Sequence, residues 1–415
     1  MSGGDTNTAF DSRVWVDFDP WSTRLAGPPE EFWAVMDGLR ERGPVLYSGA
    51  HGGFWIITRH AEVLAANKDW ETFSSAQGVS LPHNPDAPLL APIEVDPPGH
   101  RDWRKLLNPL MSPAAVAGHE PAMRRIASDL IDEFVTAGAC DLAADFAWKF
   151  VPAALFQLLL GVAPEEVPYT RGLAHLVVSQ GATQEEQNRA FADLTEWSLK
   201  HLRWRTTQPN RGDVVDALLR GEVDGRRLTH EEMVPAMILL IVAGMDTTSN
   251  SIGDVALHMI NDPALAELFR DNEQSVEQIV EELLRYGSIS FGLSRVTTRE
   301  TEVAGQRIPA GERVFLLWAG ANRDERVFPQ PDRFDPARKP NPHLAFGAGP
   351  HRCMGAHFAR LMLKVAVTEI HTRLPGLRLQ AGVHLDQPPG LVRSIRSLPV
   401  EFEPGEPSRP TEGPL

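Results

Sequence analysis

The chain has 415 residues, of which 42% are hydrophobic and 23% charged, an ordinary globular composition with ample apolar material for a core. Forty basic residues against 55 acidic ones give a formal net charge of −15, which disfavours nucleic acid as a general partner. The two cysteines, Cys140 and Cys353, are too few for a disulfide framework or a four-cysteine zinc site.

The sequence contains no clear membrane-spanning segment, signal peptide or linker between domains. The longest apolar stretch, residues 237–245, is too short to span a bilayer, and the first residues lack an apolar signal core. We therefore expect a cytoplasmic protein that does not bind membranes. Polar and proline-rich ends predict flexible tails at residues 1–12 and 404–415 around a single domain, residues 13–403.

The predicted elements begin with a helix, since apolar residues recur at helical spacing between Pro29 and Arg40. Two strand-like runs, PVLYS and GFWIITR, follow it. Residues 74–98 contain six prolines and little periodicity, which predicts a long loop that lines a substrate site. From His100 to about Leu284 the pattern is mainly helical, including a long helix over residues 231–260. Glycine, proline and β-branched residues then dominate until Gly355, where a helix resumes. The sequence therefore predicts a mainly α fold with small β-sheets, an α+β protein.

Cys353 lies in the glycine-rich run FGAGPHRCMG, directly before an apolar helix. A buried cysteine is usually an inert small hydrophobe. Here, however, Gly347, Gly349 and Gly355 permit turns and close backbone approach, so the sulfur would lie beside amide donors and a helix N-terminus. Such surroundings favour a thiolate and a metal-ligand role.

This run resembles the cysteine-ligand signature of the cytochrome P450 family, F-G-x-G-x-[HR]-x-C-x-G, without a departure. The resemblance implies the cytochrome P450 fold, with a long central helix over a buried haem b whose iron is bound by Cys353. It also implies that the other signature residues contact this cofactor; they are Phe346, Gly347, Gly349, His351 and Gly355.

The segment AGMDTT interrupts the long apolar helix with an acid and an alcohol, Asp246 and Thr247. A polar patch on the surface is one interpretation; a pair that holds water and relays protons is the other. The segment resembles the family's A-G-x-[DE]-T motif. That resemblance assigns Thr247 to hydrogen bonding at the dioxygen site and Asp246 to proton delivery. It places Ala243 and Gly244 against the haem, with Gly244 leaving room for oxygen and favouring a local widening of the helix.

Two further motifs agree with this interpretation. In DPPGHRDWR, His100 and Arg104 are four residues apart and share a helix face, which alone would suggest solvent-facing charges. The family uses these two positions, together with those of Arg295 and His351, to bind the haem propionates.

EELLR places Glu282 and Arg285 three residues apart, a pair that is usually solvated surface charge. It resembles the family's E-x-x-R pair, which interlocks with a later arginine. The matching stretch PDRF supplies Arg333, and the implied role of all three residues is structural.

The resemblance implies a monooxygenase that activates O2 and oxidises a hydrophobic small molecule. Because the chain ends soon after Cys353, we expect electrons from a separate ferredoxin and an NAD(P)H-dependent ferredoxin reductase. A cationic face would dock the ferredoxin, with candidate residues Arg101, Arg104, Lys105, Arg352 and Lys364. We expect a monomer. The alternatives are a hydrogen peroxide-driven peroxygenase and a non-catalytic haem-thiolate sensor, both disfavoured by the pair Asp246 and Thr247.

Family substrate-recognition segments suggest the residues of the substrate pocket, which are mostly apolar. The candidates are Leu240, Ala243, Ile289, Ser290, Phe291, Leu293 and Val392, together with the segments 79–90 and 173–180.

Overall fold

The computed structural model describes residues 13–84, 88–178, 182–262, 265, 268, 273–383, 385 and 387–408. The predicted N-terminal tail lies outside this part of the chain. Residues 404–408, predicted as the start of a flexible tail, instead pack on the body: Ser408 donates from its backbone N–H and its hydroxyl to Asp132, at 2.9 and 2.8 Å. The described body therefore extends beyond Glu403, the predicted boundary.

Helices form most of the regular structure, as predicted. They are α1 (Pro29–Arg42), α2 (His60–Lys68), α3 (Gly99–Leu107), α4 (Pro113–Ala117), α5 (Glu120–Asp132), α6 (Trp148–Leu159), α7 (Val167–Val178), α8 (Gln184–Arg205), α9 (Val214–Arg220), α10 (His230–Asn261), α11 (Glu273–Gly287), α12 (Trp318–Asn322) and α13 (Ala356–Arg373). A π-helical segment, Leu142–Ala147, leads into α6.

The strands are short. They are β1 (Trp15–Val16), β2 (Val45–Ser48), β3 (Phe54–Ile57), β4 (Phe73–Ser74), β5 (Ala139–Asp141), β6 (Glu222–Val223), β7 (Arg226–Arg227), β8 (Leu293–Thr297), β9 (Thr301–Val303), β10 (Gln306–Ile308), β11 (Arg313–Leu316), β12 (Arg378–Leu379) and β13 (Pro399–Glu401). The main sheet has the order β1-β2-β3-β11-β8-β4, so the predicted N-terminal strands pair with strands from the later part of the chain. A three-stranded sheet, β12-β13-β5, and two hairpins complete the set in the described residues.

The long helix α10 organises the largest hydrophobic core. It has 32 residues and packs against α6, α8, α11 and α13. Thr229 caps its N-terminus, accepting from the backbone N–H of Glu232 while the Glu232 carboxylate accepts from that of Thr229. This capping box fixes where the helix begins.

Two helical stretches, Leu142–Leu159 and His230–Asn261, are long and apolar enough to cross a membrane by length and composition alone. Their most apolar windows are, however, 61% and 50% buried inside the fold. Core helices of folded domains have the same property, so these stretches are accounted for by packing.

The predicted structural triad contains a different arginine. Glu282 and Arg285 are fully buried and form a two-pronged ion pair, with Arg285 nitrogens 2.7 and 2.9 Å from the carboxylate oxygens. The arginine that joins them is Arg338, whose Nε donates to Glu282 over 3.1 Å. Arg333 is exposed and contributes its backbone carbonyl to Arg285. The choice of Arg333 was therefore wrong, because the chain bends so that the later guanidinium enters the core.

Replacing Arg338 with alanine is expected to lower the free energy of unfolding by about 3 kcal/mol, because Glu282 would keep a buried charge with one partner fewer. Arg333→Ala is the matched control and should cost at most about 0.5 kcal/mol, since its side chain is exposed. Chemical denaturation of both variants measures the difference, and equal losses would contradict the assignment of Arg338.

Candidate active site

One cavity of about 260 Å³ lies between α10, α11, α13 and the loop before α13. Cys353 and Thr247 both line it. The other predicted cofactor and relay residues in its wall are His100, Arg104, Ala243, Gly244, Phe346, His351 and Gly355. Segments that are far apart in sequence therefore meet around a single cavity.

Cys353 is held by its loop. Its backbone N–H donates to the carbonyl of Phe346 over 2.8 Å, and its accessible surface faces the cavity. Burial raises the pKa of the thiol, although the Gly355 amide and the nearby Arg104 favour the thiolate. The sequence predicted an amide donor beside the sulfur, and the Gly355 amide is that donor. Its effect on the pKa of Cys353 is smaller than the opposite effect of burial.

Two glycines of this loop serve packing against α2 and α12. Gly347 and Gly349 have φ values of 64° and 68°, which favour glycine. A Cβ atom would lie 3.2 Å from the Trp318 ring at Gly347 and would meet the carbonyl oxygen of Asn67 at Gly349. Neither glycine lines the cavity, and both allow close packing of the loop; their contact with a cofactor stays a prediction.

Helix α10 presents Thr247 to the cavity. The Thr247 hydroxyl donates to the Ala243 carbonyl over 3.0 Å. The helix is regular through Gly244, so the predicted local widening does not occur. A Cβ at Gly244 would lie 2.8 Å from Leu155, which shows that this glycine also allows α6 to approach closely.

Asp246 lies beside Thr247 but is not part of the cavity wall. Its carboxylate accepts from Asn250 Nδ2 at 3.3 Å, and Asn250 in turn accepts from the Ile395 N–H at 2.8 Å. Burial raises the pKa of Asp246 to about 6, opposed by the Asn250 hydrogen bond and by the charge of Arg396. A fraction of about one tenth of the acid therefore stays protonated at pH 7, far more than for an ordinary aspartate, which suits a proton donor.

Side chains that can carry a positive charge converge on one side of the cavity. The rings of His100 and His351 lie 4.4 Å apart, and Arg104 donates to the Arg352 carbonyl over 2.9 Å. Burial, together with the charges of His351 and Arg104, lowers the pKa of His100 to about 4. Arg295 is buried in β8 behind this wall, where burial lowers the pKa of its guanidinium to about 10. It is not in the wall itself.

Five of the seven predicted substrate-pocket residues line the cavity, namely Leu240, Ala243, Ile289, Ser290 and Leu293. Phe291 and Val392 do not line it. Phe291 packs against Phe32, with ring centroids 5.5 Å apart, because neighbouring residues of an extended segment point to opposite sides.

The two predicted substrate-recognition segments also miss the cavity. No described residue of 79–90 or 173–178 lines it; residues 85–87, 179 and 180 lie outside the described part. The loop reaches the cavity instead at Pro92 and Ile93. A loop without periodicity gives no signal for which of its residues turn inward.

The comparisons with known proteins agree on one family. A family model, Cytochrome P450, matches residues 179–374. Nocardicin C N-oxygenase of Nocardia uniformis subsp. tsuyamanensis is 36% identical over 405 residues, covering 95% of this chain and 99% of the relative. This chain belongs to the cytochrome P450 family. Vitamin D(3) 25-hydroxylase of Pseudonocardia autotrophica is 32% identical, covering 97% of this chain and 98% of that one.

Solved structures give the same result for the fold. The crystal structure of CYP101J2 covers 96% of this chain and all of its own, with a TM-score of 0.84 and 26% identity. HmtN, a post-tailoring hydroxylase involved in himastatin biosynthesis, superposes with a TM-score of 0.80 and 29% identity, covering 93% of this chain. The chain is thus a cytochrome P450 monooxygenase of the bacterial soluble type, with the P450 fold.

The cofactor of the family is a haem iron, and the residues of this cytochrome P450 fit it. Cys353 offers a sulfur to the cavity. Both ring nitrogens of His351 and Nε1 of Trp318 are buried without a hydrogen-bond partner in the described residues. The nearest carboxylate oxygen to His351, from Asp96, is 3.5 Å away. Buried ring nitrogens without hydrogen-bond partners, next to the Arg104 guanidinium, are what a group with two carboxylates would satisfy.

Sequence reasoning missed two residues of this site. Trp318, in the cavity wall, comes from α12 and matches no motif. Arg338, in the triad behind the cavity, lies five residues after Arg333 in PDRFDPAR. The run PDRFDPAR contains both arginines, so Arg338 could have been considered as a second candidate for the structural triad. Nothing in the local sequence distinguishes Trp318 from a core tryptophan.

Proposed function

We propose that this cytochrome P450 carries haem b and inserts one oxygen atom of O2 into a hydrophobic small molecule. The observation that supports this most directly is the shared cavity of Cys353 and Thr247. When bound, the haem supplies the reductive activation of O2. Cys353 would hold its iron, while His100, Arg104 and His351 would bind its propionates and Arg295 would add positive charge behind them.

The protein's own residues do the remaining work. Thr247 holds a hydroxyl oxygen at the cavity, and Asp246 stores a proton behind it. The apolar wall, including Leu240, Ile289 and Leu293, excludes water and orients an apolar substrate. Relatives are named for nocardicin C, a steroid and vitamin D(3), which are all small organic molecules.

The absorption spectrum of the dithionite-reduced protein under carbon monoxide tests this proposal. Wild type should show the strongly red-shifted Soret band from which the family takes its name, and Cys353→Ser should lose it, because serine cannot supply a thiolate. Cys140→Ser is the matched control. Cys140 is buried away from the cavity, so this variant should keep the Soret band of wild type. A protein without haem, or the same band in all three proteins, would overturn the proposal.

We further propose that electrons come from a ferredoxin reduced by an NAD(P)H-dependent reductase. Of the predicted docking residues, Arg101, Lys105 and Arg352 are exposed and adjoin the α3 and Cys353 segments. Arg104 is partly buried against the Arg352 carbonyl, and Lys364 pairs with Glu277 at 3.8 Å, so these two are less available. The exposed cations would attract an acidic ferredoxin.

Charge reversal by Arg352→Glu should slow reduction by the ferredoxin about tenfold at low salt, with the deficit shrinking as salt is raised. Stopped-flow reduction measures this rate. Arg189→Glu places the same reversal on an exposed arginine of α8 and should leave the rate unchanged. Unchanged reduction of Arg352→Glu would count against docking at this face.

We also propose that the protein is cytoplasmic and monomeric and binds neither membranes nor nucleic acid. Its net charge of −15 supports this, as does the burial of both helices long enough to span a bilayer. Size-exclusion chromatography with light scattering tests the monomeric state. Fractionation of expressing cells tests the cytoplasmic location and the absence of membrane binding.

A further inference from the structure

Glu94 lies in the loop before α3 and has a buried carboxylate with 8% of the residue exposed. Its Oε1 accepts from the Val79 N–H at 3.0 Å, and its Oε2 accepts from the Leu90 N–H at 2.7 Å. Hydrogen bonds to a buried charged acceptor are stronger than those between neutral groups. The carboxylate therefore connects two limbs of the loop that are eleven residues apart in sequence.

These bonds connect two parts of the cavity wall. Ile93, beside Glu94, lines the cavity, and so does Leu293 at the start of β8. Ser294, the next residue of β8, donates its N–H to the Val79 carbonyl over 2.8 Å. A continuous path thus runs from Ile93 through Glu94, Val79 and Ser294 to Leu293, with the Glu94 carboxylate as its one side-chain link.

The two limbs of the loop are anchored differently. The first is fixed to the sheet, since Arg313 donates to the Gly78 carbonyl over 3.0 Å and the Ser294 hydroxyl donates to the Ser80 carbonyl over 2.9 Å. The second limb forms a turn in which the Glu94 N–H donates to the Leu90 carbonyl over 2.9 Å. Because Glu94 binds both limbs, the rigid first limb fixes the position of this turn and therefore the position of Ile93.

We propose that Glu94 is a positioning residue that fixes the separation of the Ile93 and Leu293 walls and thereby selects substrates by size. This inference rests on the proposed function, because it takes the cavity as the substrate site. Glu94 does not touch the substrate; it acts through Ile93.

Hydrogen exchange of the haem-loaded protein, read at residue level by mass spectrometry, gives a test that needs no activity. Glu94→Gln keeps the size of the side chain but has one acceptor oxygen in place of two. The Val79 or Leu90 amide should therefore exchange about tenfold faster. Glu71→Gln makes the same chemical change at an exposed site near the start of the loop and should alter neither amide.

Wild type alone also tests the inference, so a variant that fails to fold leaves it testable. The Leu90 amide should exchange at least about tenfold more slowly than that of Leu89, whose side chain is exposed. Equal exchange of these neighbouring amides, or equal protection in wild type and Glu94→Gln, would overturn the proposed link.

Binding of imidazole and 4-phenylimidazole, followed by absorbance, tests the consequence for selection. Imidazole is too small to need the wall and should bind wild type and Glu94→Gln with Kd values within about twofold. 4-Phenylimidazole needs a close apolar wall and should bind the variant about five- to tenfold more weakly. Equal loss for both probes would mean a general structural effect and overturn the size-selection role.

The two proposals fail in different ways. If neither probe binds wild type, the proposed haem function fails. If imidazole binds both proteins and 4-phenylimidazole does not distinguish them, the haem function stands and the role of Glu94 is wrong.

Discussion

Asp246→Asn is expected to slow product formation about hundredfold at pH 7, because it removes a positioned proton donor. The carboxyl lies beside Thr247 on α10, and the raised pKa of about 6 keeps part of it protonated at neutral pH. Asparagine has a similar shape and can keep its contact with Asn250, but it cannot release a proton. Proton delivery should then become rate-limiting, with a larger kinetic solvent isotope effect than in wild type.

The same substitution should stabilise the protein at alkaline pH. Burial raises the pKa of Asp246 in the folded state from 3.8 to about 6. Below about pH 3 the side chain is protonated in both states, and the shift has no cost. As the pH rises from about 4 to 6 the carboxyl ionises in the unfolded chain but not in the folded protein, so the cost grows and reaches about 2–3 kcal/mol above pH 6. Asparagine avoids this cost.

Chemical denaturation at pH 4 and pH 8 checks the stability part. The advantage of Asp246→Asn should be below about 1 kcal/mol at pH 4 and about 2–3 kcal/mol at pH 8. Asp17→Asn, at a side chain that is 86% exposed, controls for the change in net charge and should show no such trend. An equal stability of wild type and Asp246→Asn at pH 8 would contradict the buried-acid assignment, whatever the activity.

The fold followed from the sequence where local signals were strong. The helix predicted at residues 231–260 is observed at His230–Asn261, since a long apolar run and the Thr229 capping box define it together. The pairing of β3 with β11 could not be predicted, because it joins residues more than 250 positions apart and no local pattern specifies such partners.

The site was predictable where a motif fixes spacing on one element. Cys353 and Gly355 belong to one loop, and His100 and Arg104 to one helix. Local spacing alone therefore predicts that the members of each pair line the cavity together. The predictions of lining residues were wrong where they depended on the direction in which a side chain points. Phe291 is extended chain between two wall residues, Ser290 and Leu293, and only the three-dimensional path shows which side chains turn inward.

The choice of Arg333 over Arg338 has the same origin. Both arginines lie in one loop, and both approach Glu282 and Arg285. Which guanidinium is buried depends on the turn between them, where the Arg338 N–H donates to the Asp335 carbonyl over 3.0 Å. Arg333 matches the family motif by its place in PDRF, but a local motif carries no information on that turn.

Thr247→Ala is expected to uncouple the enzyme. With the proposed NAD(P)H-dependent electron supply, product per NAD(P)H should fall about ten- to hundredfold while NAD(P)H and O2 are still consumed. The Thr247 hydroxyl donates its hydrogen to the Ala243 carbonyl over 3.0 Å, which leaves its oxygen facing the cavity as an acceptor. Without that oxygen, a proton donor or water in the cavity loses its fixed position. Reduced oxygen should then leave as hydrogen peroxide.

Parallel assays of NAD(P)H oxidation, peroxide and product separate this effect from a loss of electron transfer. Thr247→Ser keeps the hydroxyl and should stay coupled to within about threefold of wild type, whereas Thr248→Ala removes the neighbouring hydroxyl and tests whether position matters. The Asp246 and Thr247 variants should differ in kind: the first slows consumption and product together, the second spares consumption. If Thr247→Ala slowed both equally, the hydroxyl would belong to the same proton-delivery step as Asp246, and its separate role at the cavity would be wrong.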